Sequence, residues 1–174
     1  DNAGNDHRWL IHRRLIPYKA NTLYKMTVRI RRTAGSGTVY VGMAGVAADG
    51  ATWVNAAGSN TATSSQHYFV AANINPPATF TIYTGYLLGW GSPNGGYSGG
   101  FYRAHADVRY IRPLIVVNYS NAAGTTDIDF VEIAEYDYPG SAGLYLTPLY
   151  SGYWGGSAWR SYFDKNGNFY LNAG

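Results

Sequence analysis

The chain has 174 residues, enough for one domain of ordinary size with its own core, and no cysteine, which excludes disulfides, thiolate metal sites and a cysteine nucleophile. Charged residues are 13% of the chain, about half the usual share, while 17 tyrosines and 22 glycines accompany many Asn, Ser and Thr. A net charge of +3 without a lysine-rich stripe argues against nucleic acid, and no apolar run approaches a membrane span.

In chain order, the first regular pattern is "TLYKMTVRIRR". Tyr24, Met26, Val28 and Ile30 alternate with Lys25, Thr27, Arg29 and Arg31, the period of a strand with one buried face. Arg29, Arg31 and Arg32 on the polar side read most simply as a solvated surface; contact with an anionic polysaccharide or a neighbouring subunit is the other reading. "RTAGSG" supplies a turn, and "TVYVGMAGV" reads as the hairpin partner of the first strand. There Val39, Val41 and Met43 point one way, while Gly42 and Gly45 permit a bulge or a close approach.

"QHYFVA", "ATFTIYTGYLLGW" and "RYIRPLIVVNY" follow as strands rich in Val, Ile, Thr, Tyr and Phe. Phe80, Ile82, Tyr86, Leu88 and Trp90 share one parity, which reads as the core face. Pro113 lacks a ladder donor, so its strand is expected at a sheet edge or bulged there. Residues 89 to 113, "GWGSPNGGYSGGFYRAHADVRYIRP", set Trp90, Tyr97, Phe101 and Tyr102 among glycines. Such a segment reads as a long loop over one end of the molecule. In "TDIDFVEIAEYD" Ile128 and Phe130 share one parity while Val131 and Ile133 share the other, and a bulge near Phe130 reconciles them.

No apolar pattern of period 3.6 persists for three turns. Many short strands between Gly, Asn, Asp and Ser turns predict an all-β fold, an antiparallel β-sandwich (jelly roll), over residues 1–137. After Tyr138 the composition shifts to glycine, serine and aromatics without alternation. Residues 138–174 read as a Gly/Tyr-rich connector and a C-terminal hairpin, with "DKNGNF" as the turn between "WRSYF" and "FYLNA".

"LIPYKANTLYKMTVRIRRTAGSGTVYVGMAGV" and "YIRPLIVVNYSNAAGTTDIDFVEIAE" together resemble the carbohydrate-binding-module-like jelly rolls of glycoside hydrolases and of phage tail fibre, tail spike and host-specificity proteins. The C-terminal "WRSYFDKNGNFYLNAG" is similar to hairpin phrases of phage tail fibres and spikes. The resemblance implies a virion-surface or extracellular protein. It also implies a structural calcium in some members, held partly by an acidic residue of the last strand, and Asp129 matches that position. Asp1 and Asp6 offer no recognisable companion pattern, and no other cofactor is implied.

Catalysis finds little in the residues themselves. Glycoside hydrolysis needs two carboxylates facing each other across a bond. Asp127 and Asp129 lie two apart on a strand, where solvated or calcium-linked roles are the simpler reading. His7, His12, His67 and His105 are scattered without zinc spacing, and no GxSxG elbow is present. Binding is better served, because sugar rings stack their apolar faces on aromatic rings while their hydroxyls take hydrogen bonds from amide, carboxylate and guanidinium groups. Trp90, Tyr97, Phe101 and Tyr102 supply platforms; Asn94, Arg103, His105 and Asp107 supply polar partners; Trp53 and Asn55 add a second loop. Trp90, by its parity, reads first as closing the core, while Tyr97 and Trp53 stand open between ligand contact and packing.

The expected function is non-catalytic carbohydrate binding that attaches a phage tail or similar particle to cell-surface glycan. A structural module of a viral fibre, with tyrosines buried between subunits of a homotrimer, is the alternative of a different class. A polysaccharide-degrading enzyme is the third.

Overall fold

The alternation around Met26 and Val28 does build a strand, and the same rule builds the rest of the molecule. The structure, a computed structural model, describes residues 8–58, 66–98, 101–119, 124–138, 143–146, 150–154, 159–164, 166 and 168–171. Every regular element among them is a strand. In chain order these are β1 (Arg8–Ile11), β2 (Ile16–Pro17), β3 (Thr22–Gly35), β4 (Val39–Val46), β5 (Trp53–Val54), β6 (His67–Ile74), β7 (Thr81–Leu88) and β8 (Gly96–Ser98). They continue with β9 (Phe101–Arg103), β10 (Tyr110–Val117), β11 (Gly124–Asp137), β12 (Gly143–Leu146), β13 (Tyr150–Trp154), β14 (Trp159–Asp164) and β15 (Phe169–Leu171).

Two sheets form the sandwich. One has the order β1-β10-β4, with β5 and β6 both on the far side of β4 and β2 beside β10. The other runs β11-β3-β7-β9-β8, antiparallel except where Leu87 meets Tyr102 in parallel. Between them lies the main core, to which β3 gives Tyr24, Met26, Val28 and Ile30 and β4 gives Val39, Val41 and Met43. The outer face of each sheet adds a smaller cluster, one around Leu23, Leu88 and Phe101 and one around Ala44, Leu114 and Val116. The all-β antiparallel sandwich is therefore as expected; a jelly roll is a finer statement than these strand orders make.

The expected bulge is present: the β11–β3 register shifts between Ile128 and Phe130, leaving Asp129 as the extra residue. Ile128 thereby stays opposite Ile30, and Val131 opposite Val28. Gly42 makes a close approach, since a Cβ there would overlap the His67 carbonyl oxygen. No other residue fits at that point of β4.

Three expectations are corrected. The β3 and β4 strands are not a hairpin, because they belong to different sheets and residues 36–38 carry the chain from one layer to the other. A Gly/Ser turn between two alternating strands has the same composition at a sandwich corner as in a hairpin. Pro113 is not on an edge strand either: β10 is central, paired on both sides. Its imide nitrogen is accommodated differently. The Pro113 carbonyl accepts the His12 amide at 3.0 Å, so its nitrogen faces the same side, where the chain leaves the ladder between β1 and β2. Finally, the core face of β7 is the odd parity. Leu87 enters the main core, whereas Ile82 and Trp90 are exposed.

The two flanks of the sandwich differ. Where β8 and β9 face β6, Tyr97 donates its hydroxyl hydrogen to the Phe69 carbonyl at 3.2 Å and Tyr102 packs on Phe69, which closes the flank. Where β11 faces β1, the flank stays open. Residues β12–β15 form a four-stranded antiparallel sheet, so strands occupy part of the stretch expected as a connector. The expected C-terminal hairpin is its β14–β15 pair.

Candidate functional site

The carboxyl ends of β4, β7 and β9 and the start of β10 all open onto one end of the sandwich, and a buried tyrosine ties them together. Tyr18 donates its hydroxyl hydrogen to the Leu88 carbonyl at 2.6 Å and accepts the Ala104 amide at 3.2 Å. Its own amide donates to the Arg109 carbonyl at 2.8 Å. Burial pushes this phenol up to about 12, so it stays a neutral donor. Gly89 lies against the Lys19 carbonyl, where a side chain would collide. Only glycine fits at this point, and the next residue, Trp90, lies outside the core.

Trp90 is 42% exposed. The Arg109 guanidinium lies 4.9 Å from its ring centroid, and Arg103 donates through Nη1 to its carbonyl at 2.8 Å. Arg109 is itself held, donating to the carbonyls of Ala106 at 2.6 Å and Val108 at 3.0 Å. A ring anchored at its backbone and backed by a fixed cation loses little freedom when a ligand arrives.

Beside it, three loop segments interlock. Ser92 pairs with His105 in a parallel bridge, and the Gly95 amide donates to the Ala56 carbonyl at 2.6 Å. Gly58 lies against the His105 ring, leaving no room for a side chain. The Asp107 amide donates to His105 Nδ1 at 3.2 Å. The Asp107 carboxylate sits 3.5 Å from the same nitrogen. Asn94 and Asp107 are exposed.

Of the residues singled out from the sequence, Trp90, Asn94, Arg103, His105 and Asp107 lie together at this end. Parity reads Trp90 as closing the core, and the ring is instead outside. The other candidates fall elsewhere. Asn55 is buried, and its Oδ1 braces the loop by accepting the Ala57 amide at 3.0 Å. Phe101 and Tyr102 are core residues. Tyr97 is 69% exposed on the closed flank, edge-on to Tyr102 at 5.3 Å. Trp53 is half-buried on the outer face of its sheet under the Arg112 guanidinium at 5.7 Å.

Asp129 sits at its bulge with Arg29 at 2.6 Å, and Asp127 pairs with Arg31 at 2.9 Å. Both arginines also lie over the Phe80 ring. Among the described residues, no three His, Asp or Glu side chains gather as a cation site. Asp1, Asp6 and His7 lie outside the described residues.

One residue beneath the loops escaped the sequence reading. His67 is fully buried; its Nε2 donates to the Val54 carbonyl at 3.1 Å, and its Nδ1 accepts the Tyr102 hydroxyl at 3.4 Å. Desolvation pulls its pKa down to about 4, so the ring is neutral near pH 7. It supports the loop directly, since a Cβ on Gly95 would come within 2.8 Å of Nδ1. Its signal was parity: His67 shares it with Phe69 and Ala71, the inward residues of β6.

In comparison with known proteins, the chain matches no family model, no curated protein and no solved structure.

Proposed function

We propose that this chain is a non-catalytic carbohydrate-binding module of a surface-attachment protein, such as a phage tail fibre or tail spike, and that it holds cell-surface glycan at the loop end of the sandwich. The observation that carries this reading is Trp90, exposed at 42% yet fixed by Arg103 and Arg109. A sugar ring stacks on the indole, and the flanking Asn94, Asp107 and Arg103 address its hydroxyls. The non-catalytic half rests on the carboxylates: Asp127, Asp129 and Glu135 are each engaged by a cation. A screen of the domain against a glycan array, with reducing-sugar release measured on any glycan that binds, tests both halves. Selective binding without sugar release is expected; release of reducing ends overturns the non-catalytic reading, and a blank array overturns the binding reading.

A second reading concerns the tail. The β12–β15 sheet exposes Tyr153, Phe163, Phe169, Tyr170 and Leu171, large apolar side chains of the kind that mark contact surfaces when they cluster. This favours an assembly role for residues 138–174 beside the binding role of the sandwich. Light scattering of the whole chain and of a chain ending at Tyr138 separates the two: the assembly role requires that only the former self-associates.

A further inference from the structure

The open flank between β1 and β11 contains a groove of about 830 Å³, within the size range of small-molecule sites. Its floor is the edge of the main core. Leu10 and Ile115 come from one sheet, and Ile128, Val131 and Ile133 from the other. Its apolar walls are aliphatic, and no Trp, Tyr or Phe lines it among the described residues, so it lacks the broad aromatic platform on which a sugar stacks. Leu10 and Val131 are exposed here although their backbone positions face inward. Leaving such surface in water is unfavourable.

Two strand edges face this groove, yet neither suits an added strand. On one side the edge is β1, only four residues long (Arg8–Ile11), too short to template a stable pairing. On β11 the edge is broken by the bulge at Asp129, a device that blunts pairing. An occupant that needs no backbone hydrogen bonds avoids both obstacles. At the rim, Lys19 is paired with Glu135 at 2.6 Å, whereas Arg14 is exposed and has no ion pair among the described residues. Arg14 is held in the turn after β1, where its amide donates to His12 Nδ1 at 3.2 Å. The groove is thus an aliphatic trough with an uncompensated cation at its mouth.

We infer that the groove is a binding site for a free single-chain amphiphile with an aliphatic tail and an anionic head, the tail lying between Leu10, Ile128 and Val131 and the head meeting Arg14. The site is separate from the Trp90 end, so a glycan result there leaves it standing.

Calorimetry of the full chain with a series of alkanoates up to laurate, below their micelle concentrations, tests this. The association constant is expected to rise about fourfold per added methylene until the groove is full. Val131→Asp, at an exposed position, should abolish laurate binding. Arg14→Glu should weaken laurate about tenfold while leaving a neutral alkyl glucoside of equal chain length unchanged. A flat chain-length series, equal affinity for an alkyltrimethylammonium ion, or indifference to Val131→Asp would each overturn the assignment. Two further results would also overturn it: an alternating apolar peptide that displaces laurate would make the groove a strand acceptor, and sedimentation with phosphatidylglycerol vesicles without laurate binding would make it a bilayer contact.

Discussion

Protonation of His67 should destabilise the protein from beneath the loops at the Trp90 end. The ring is buried and neutral, with Nε2 on the Val54 carbonyl and Nδ1 accepting from Tyr102. A second proton would have to enter at Nδ1, which would cancel the Tyr102 bond and leave a cation in the core. Its pKa falls from 6.5 to about 4, so between those values the unfolded chain binds a proton that the folded chain refuses. Stability is thus fully present above pH 6.5 and is lost as the pH falls towards 4. At 1.36 kcal/mol per pH unit the loss amounts to about 3 kcal/mol. Urea unfolding of the wild type and of His67→Gln between pH 7 and pH 4.5 measures it. Glutamine keeps a donor for Val54 and carries no titrating group. The variant should start less stable, by about 1 to 3 kcal/mol for the disturbed hydrogen bonds, but lose much less than the wild type as the pH falls. Parallel curves for the two proteins would refute the reasoning.

Three other outcomes are expected. Gly42→Ala meets backbone at the His67 carbonyl rather than a flexible side chain and should cost about 3 kcal/mol or more, while Gly96→Ala, with open space around it, should stay within about 0.5 kcal/mol; thermal melts decide. Tyr18→Phe removes the hydroxyl shared by Leu88 and Ala104 and should destabilise by about 1 to 3 kcal/mol, with Trp90 fluorescence shifting because its support is loosened. Asp129→Asn breaks a half-exposed pair with Arg29 and should cost less than about 1 kcal/mol, shrinking further in high salt; a large loss in melting temperature that EDTA reproduces in the wild type would instead assign Asp129 to calcium.

The strands were legible wherever one face is apolar and the other is not. β3 is the clearest case, and the bulge in β11 followed from two parities in one strand. β7 misled because its outer face is also apolar: Ile82 is exposed, and Leu88 enters the small outer cluster with Leu23 and Phe101. Alternation then states a period without stating a direction. Sheet membership was not legible for β4, since the turn after Gly35 changes layer without changing composition. Within the site, glycine and aromatic content located the loop end but could not separate rings. Tyr102 and Phe101 go inward because short strands β8 and β9 attach the segment to β7, and that pairing depends on residues far apart in sequence. His67 was visible only as a polar residue at an inward position of β6.

The central claim is that Trp90 is the platform for a sugar. Calorimetric titration of the strongest array ligand into the wild type, Trp90→Ala and Trp53→Ala, with melting temperatures matched, tests it most directly. Loss of at least about tenfold in affinity for Trp90→Ala, with Trp53→Ala unchanged, is the predicted result. Undiminished binding by Trp90→Ala would contradict the account.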